Sequence, residues 1–311
     1  MRPETSISGH KVYVGPERLD SFLRAVENSG CINVSSLAEA DAVVWFGRDP
    51  KDLEALLPDN VRWLQIPDAG AEKWLRSSVL SEGRTVTCAS GVYGPQVAEH
   101  ALALMLASSR RLATFARATS WRPQAAEVAS VIGAQVTIVG AGGIGMSLID
   151  MLRPFGCKIT VVTRSGRIVP GADVSLASSE LDQGLESADL IVLAAPATAD
   201  TTGLINERTL SLMKPTAVLI NVARGSLIDT DALVDALDRG LLSGVGLDVT
   251  DPEPLPDSHV LFSHPKVLIT PHVANPPALK MASFARFVEE NCRRYRSGKP
   301  LLGVIDTTLG Y

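Results

Sequence analysis

The feature that most restricts how this chain can fold is alternation. Short β-branched runs and helical stretches follow one another in two separate series. Strands joined through helices cannot pair as hairpins, because each crossover returns the chain to the same end of the sheet. Such a series therefore builds a parallel sheet covered by helices. In the first series Lys11–Val14, Ala42–Phe46, Val61–Ile66 and Thr85–Cys88 are predicted strands, with helices over Glu17–Glu27 and Lys51–Leu57. A long helical stretch then runs from Val97 to about Thr119, and its apolar positions exceed one face, which predicts a largely buried helix. The second series begins near Ala134. Its predicted strands are Gln135–Val139, Lys158–Thr163, Asp189–Ala194, Ala217–Val222, Gly244–Val249 and Val267–Thr270, with helices such as Ile144–Leu152 and Asp231–Arg239 between them. Residues 280–296 read as a closing amphipathic helix and Leu301–Tyr311 as a tail. A chain of 311 residues is long enough for two cores, one for each series.

Composition excludes several classes of function. With 46% apolar and 20% charged residues the chain can bury two cores without disulfide or metal staples. A net charge of −5 argues against nucleic-acid or anionic-membrane partners, and the short cluster Arg293, Arg294, Arg296 reads as a solvated helix face. Cys31, Cys88, Cys157 and Cys292 are far apart and show no metal-ligand spacing, so no metal site is expected. The opening residues lack the apolar run of a signal peptide, and no stretch approaches the ~18 apolar residues of a membrane span. A reducing, cytoplasmic setting is the expectation.

The two series differ in one respect: only the second carries a phosphate-binding signature. Gly140-Ala141-Gly142-Gly143-Ile144-Gly145 fits GxGxxG. In a chain with 25 glycines the pattern alone carries little weight, and a glycine-rich turn without a ligand is the plain alternative. Its context gives it meaning, since it follows an apolar strand and opens a helix. There Gly140 allows the tight turn, Gly142 the approach of a pyrophosphate and Gly145 close packing of helix on strand, with the helix N-terminus facing the anion. At the end of the next strand, where an NAD enzyme usually places an acid, stands Thr163, followed by Arg164, Ser165, Gly166 and Arg167. No carboxylate there repels a 2′-phosphate and two guanidiniums can bind one, so NADP is the expected cofactor, with NAD as the alternative.

The stretches VAEHALALML, GAGGIG, LINVARGSLIDTDAL, GLDVTDPEPL and LITPHVA, with the loop LQIPDAGAEKW and the tail LLGVID…GY, resemble the D-isomer-specific 2-hydroxyacid dehydrogenase family, glyoxylate/hydroxypyruvate reductases included. The likeness covers roughly residues 90–275 in family order and spacing. It implies a catalytic set of Arg224, Glu253 and His272, and each residue makes chemical sense. Arg224, in the turn after an apolar strand, can pair with a substrate carboxylate and polarise the adjoining carbonyl. His272, at a strand end, is a proton donor to the nascent hydroxyl. Glu253 hydrogen-bonds His272, fixing its tautomer and favouring its protonated form. Taken singly, each has an ordinary structural reading as a surface arginine, a solvated acid or a structural histidine. The resemblance further implies cofactor contacts from Gly140, Gly142, Gly143, Ile144, Gly145, Thr163, Arg164, Ser165, Arg167, Pro196, Ala223 and Asp248, the last near the nicotinamide. It implies substrate contacts from Ala69, Gly70, Ala71, Arg224 and His272. Two departures stand out: Gly-Ala-Glu after Ala69, where the family usually has Gly-Val-Asp, and Gly143, where many members carry arginine.

The expected fold is therefore two doubly wound α/β parallel-sheet domains with a cleft between them. A Rossmann cofactor domain would run over 98–274, and a flavodoxin-like substrate domain would combine 1–97 with 275–311. The expected activity is hydride transfer between NAD(P)H and a small 2-keto acid, giving a D-2-hydroxy acid, with glyoxylate or hydroxypyruvate as substrates and a homodimer as the assembly. Two alternatives share the fold: a formate- or phosphite-type oxidase, and a non-catalytic, dinucleotide-sensing scaffold similar to the family's corepressors. Glu253 argues against formate oxidation, since formate enzymes of the family carry Gln there.

Overall fold

The computed structural model describes residues 9–47, 49–71, 73–80, 83–121 and 128–307. The end of the tail, 308–311, and Glu72 of the 69–72 loop lie outside them. Along the chain come β1 (Lys11–Gly15), α1 (Asp20–Asn28), β2 (Ile32–Val34), β3 (Ala42–Trp45), α2 (Pro50–Glu54), β4 (Trp63–Gln65) and β5 (Thr85–Thr87). Next are α3 (Gly94–Ser109), α4 (Leu112–Ala116), β6 (Gln135–Val139), α5 (Gly143–Leu152), β7 (Lys158–Thr163), β8 (Val174–Ala177), α6 (Leu181–Ser187) and β9 (Leu190–Leu193). The series ends with α7 (Glu207–Leu212), β10 (Val218–Asn221), α8 (Thr230–Asp238), β11 (Gly244–Leu247), β12 (Val267–Ile269) and α9 (Pro277–Arg296). The chain divides into two units, Met1–Tyr93 with Pro276–Tyr311, and Gly94–Asn275.

The first unit holds a five-stranded parallel sheet in the order β2-β1-β3-β4-β5. Val43, Trp45, Leu53, Leu64, Ile66, Trp74 and Val86 form one buried cluster. The rings of Phe22, Phe46 and Phe284 pack with α1 against α9. A buried polar join explains why the last residues belong here. Asn291 of α9 donates to Gln65 Oε1 (2.8 Å) and to Leu302 O (3.0 Å), and accepts from Leu302 N (2.9 Å). Cys88 N and Ile305 N then bond Gly303 O and Val86 O, laying the tail beside β5.

The second unit holds a seven-stranded sheet in the order β12-β11-β10-β9-β6-β7-β8, with every pairing parallel. Its strands read as continuous apolar runs because helices cover both faces: β9, β10 and β11 are buried at every position. The chain builds outward from β6 through β7 and β8, then returns to place β9 on β6's other side. That reversal is a topological switch point, where strand connections diverge and leave a crevice at the carboxyl edge.

Three elements differ from the sequence expectation. β2 and β8 were absent from the sequence reading; both are edge strands of three and four residues, and their exposed positions blur the apolar signal. The single helix expected from Val97 to about Thr119 is two. α3 ends at Ser109, the last residue of its buried face, Arg111 takes the left-handed conformation (φ 49°), and Leu112 and Phe115 of α4 are exposed. No helix among the described residues is long and apolar enough to cross a membrane.

Candidate active site

In a parallel sheet every strand points the same way, so the segments following the strands share one edge. At that edge of the second unit lie the glycine loop after β6, Thr163–Arg167 after β7, Pro196 after β9, Ala223 and Arg224 after β10, Asp248 and Glu253 after β11, and His272 after β12. Topology alone gathers residues that the sequence spreads over more than a hundred positions.

The glycine loop is shaped by close approach. Gly140 has φ +110°, and a Cβ there would stand 2.6 Å from Ala194 O. A Cβ on Gly145 would stand 2.1 Å from Gly140 O, so α5 packs against its strand only with glycine at that position. In front of Gly142 the backbone faces open space, as a phosphate-binding turn at a helix N-terminus needs. Arg167 donates to Ala141 O at 3.2 Å, which seats a guanidinium on the loop. Thr163 Oγ1 is buried and has no hydrogen-bond partner among the described residues. An orphaned hydroxyl beside an open glycine turn with a cation on it fits a dinucleotide's ribose and phosphates.

The chemical end of the edge is built from two backbone devices. Asn221, wholly buried at the end of β10, donates to Arg224 O (2.8 Å) and accepts from Ala223 N (3.0 Å), clamping the turn that presents Arg224. Gly225 is required by the next contact: a Cβ there would stand 1.9 Å from Thr250 O, so only glycine lets this turn meet the loop carrying Glu253. Arg224 is half-buried and its Nη1 donates to Ala223 O at 2.8 Å.

His272 stands at φ +53°, a left-handed conformation that residues with a Cβ rarely adopt. Asp248 holds it there. Its carboxylate accepts Val273 N (2.9 Å), Ala274 N (3.0 Å) and Thr270 Oγ1 (2.6 Å), while Asp248 O accepts His272 N at 2.8 Å. Thr270 has one hydroxyl proton and gives it to Asp248, so the 2.9 Å contact from His100 Nε2 to Thr270 Oγ1 requires the hydrogen on that nitrogen. Both oxygens of Asp248 thus serve the turn of His272. Asp248 therefore positions the histidine. His272 Nδ1 lies 2.6 Å from Glu253 Oε1, both side chains being about half exposed, so Nε2 is left to face a reactant.

In the first unit the expected substrate loop follows β4. Tyr93 donates to Pro67 O at 2.6 Å, and Asp68 accepts from Trp74 Nε1 at 2.8 Å and pairs with Lys73 at 3.0 Å. These bonds brace Ala69, Gly70 and the buried Ala71 from both sides. Asn221, His100 and Thr270 were missed by sequence reasoning. The only signal of Asn221 was an amide closing an apolar strand, while His100 and Thr270 lie 170 positions apart.

Glycine turn, switch point and an imidazole–carboxylate pair on one sheet edge together define a dinucleotide-binding α/β protein equipped for proton transfer. Residues 102–274 match the NAD binding domain of D-isomer specific 2-hydroxyacid dehydrogenases, and the chain belongs to that family. It is 38% identical over 97% of its length to a protein encoded in the proB 3′ region of Corynebacterium melassecola, covering all of that protein. It is 33% identical to glyoxylate reductase of Pyrococcus furiosus, over 70% of this chain and 67% of the relative. A solved structure, the NADPH-dependent glyoxylate/hydroxypyruvate reductase of Sinorhizobium meliloti with NADP and sulfate, superposes with TM-score 0.78 at 25% identity, covering 97% of this chain and 100% of the other.

Proposed function

We propose that this chain is an NAD(P)H-dependent reductase converting a small 2-keto acid into its D-2-hydroxy acid, with glyoxylate and hydroxypyruvate as leading substrates. The observation that carries the reading is the 2.6 Å contact between His272 Nδ1 and Glu253 Oε1. The carboxylate fixes the ring's orientation and compensates its positive charge while Nε2 holds a proton. His272 gives that proton to the carbonyl oxygen as negative charge develops there. Arg224 binds the substrate carboxylate through its planar fork and polarises the adjoining carbonyl. The backbone N–H groups of Ala69, Gly70 and Ala71 offer further donors to a carboxylate. When bound, the dinucleotide supplies the hydride.

The cofactor domain in this reading spans 98–274, and the substrate domain 1–97 with 275–311. Gly140, Gly142, Gly143, Ile144 and Gly145 hold the pyrophosphate. Thr163, Arg164, Ser165 and Arg167 take the adenosine ribose and favour NADP, and Pro196, Ala223 and Asp248 line the nicotinamide end. A cytoplasmic homodimer is part of the proposal, supported by exposed Leu112, Phe115 and Trp121. The test is cofactor consumption with a panel of 2-keto acids, with formate and phosphite offered alongside NAD⁺ or NADP⁺. Turnover of a keto acid to the D-product is expected. Oxidation of formate or phosphite alone, or no turnover at all, would overturn the reading.

A further inference from the structure

A second group of reactive side chains lies in the first unit. Cys31 leads into β2, and Cys292 sits on the buried face of α9, against which α1 packs. The Cys31 thiol reaches Cys292 O at 3.5 Å, and the two sulfurs are within hydrogen-bonding reach of each other. Ser29 is buried between them: its hydroxyl donates to Val26 O (2.6 Å), accepts Cys31 N–H (3.3 Å) and touches both thiols. Two basic side chains act on Cys31. One is Arg296, at the end of α9, whose guanidinium lies over Gly30. The other is His10, ahead of β1, whose ring rests on Tyr295 at 4.5 Å. Facing them are Glu289 of α9, which acts on Cys292, and Asp41, 3.6 Å from His10.

The bond with Cys292, aided by Ser29, His10 and Arg296 and opposed by burial, brings the Cys31 thiol down to about 6. The Cys292 thiol is pushed well above its usual range by the same bond and by burial. The pair is thus polarised, Cys31 toward the thiolate and Cys292 toward the protonated thiol. That is the arrangement in which one sulfur attacks an oxidant and its neighbour resolves the product. Exposures of 6% and 0% keep out protein thiols, so the oxidant the pair can meet is a small one.

We propose that Cys31 and Cys292 form a reversible redox modification site, at which a peroxide oxidises Cys31 and Cys292 closes an intramolecular disulfide. The Cys31 thiolate attacks one peroxide oxygen. The S–O bond forms, the O–O bond breaks, and the departing hydroxide takes up a proton to become water. Cys292 Sγ then attacks the Cys31 sulfur and gives up its proton, so that S–S forms, S–O breaks and a second water leaves. The two sulfurs lose two electrons and the peroxide gains them; a dithiol reverses the reaction. The product links residues 261 positions apart, tying the segment before β2 to α9.

The test treats the native wild-type protein with hydrogen peroxide, blocks remaining thiols under denaturing conditions and maps tryptic peptides by mass spectrometry. The expected product is peptide 25–48 linked to peptide 287–293. It should be released by dithiothreitol and absent from Cys31→Ser, while Cys292→Ala should trap a dimedone adduct on Cys31. Cys157, whose thiol is pushed up by burial, serves as the internal comparison. Cys31 and Cys292 that stay fully alkylatable while Cys157 oxidises, or a dimedone adduct on Cys157 or Cys88 in place of Cys31, would overturn the proposal.

Discussion

A left-handed φ on a residue with a Cβ costs on the order of 1–3 kcal/mol, and it persists only where neighbouring bonds over-determine it. His272 is held in that state by bonds from Asp248 on both sides, and its ring is aimed by Glu253. If the ring is the proton donor, His272→Ala lowers the reductive rate by about 10²–10⁴-fold. Glu253→Gln keeps a hydrogen bond and removes the charge that compensates the proton-donating ring, so kcat for reduction falls by about tenfold or more while KM for the cofactor holds, read by steady-state kinetics. Unchanged kcat in Glu253→Gln would show that the pair is not coupled. Arg224→Lys keeps charge without the planar fork, so KM for the keto acid rises and kcat falls while cofactor affinity holds. A lysine variant within about twofold of wild type would remove Arg224 from the substrate, since a lost bidentate contact costs more than that.

At the scale of elements, the strands act by where they stop. β10, β11 and β12 are neighbours, and each ends by releasing a residue with chemistry into the same edge. Asp248 connects two of them, for it follows β11 and bonds the backbone after β12. Asp248→Asn replaces an acceptor with a donor facing Val273 N–H or Ala274 N–H, which unties the turn of His272. The expected result is a fall in kcat of about tenfold or more with little change in KM for the cofactor, read by steady-state kinetics, consistent with lost orientation of a general acid. Unchanged kcat would show that the turn holds without the carboxylate. Strand positions in the second unit were largely legible because a doubly covered parallel strand is an uninterrupted apolar run. The edge strands β2 and β8 were not, and neither was the break at Arg111, because exposure there removes the pattern on which the reading depends.

At the scale of the whole molecule, cofactor choice and assembly follow from charge and exposed apolar surface. Arg167 on the glycine loop and the absence of an acid at Thr163 favour a 2′-phosphate, so NADPH is expected to exceed NADH in kcat/KM by about 5–150-fold, the equivalent of ~1–3 kcal/mol from one or two guanidiniums. Arg167→Ala should raise KM mainly for NADPH, and equal kcat/KM with NADH would end the preference. Sedimentation velocity should give twice the chain mass if the exposed apolar side chains near α4 are covered by a second copy, and the single-chain mass otherwise.

What the sequence determined by itself is local or periodic: the alternation that makes parallel sheets, the glycine turn between strand and helix, and the motifs carrying Arg224, Glu253 and His272. The first two are written in neighbouring residues, so short-range sterics and the 2.0 and 3.6 periods suffice to read them, while the three catalytic candidates were legible only through the resemblance. Tertiary structure alone decided the Asn221 clamp, the Gly225–Thr250 approach, the His100–Thr270–Asp248 network and the Cys31–Cys292 pair. Each depends on groups brought together from distant stretches, where the side chain's role is set by what the fold packs against it and no local pattern announces the partner.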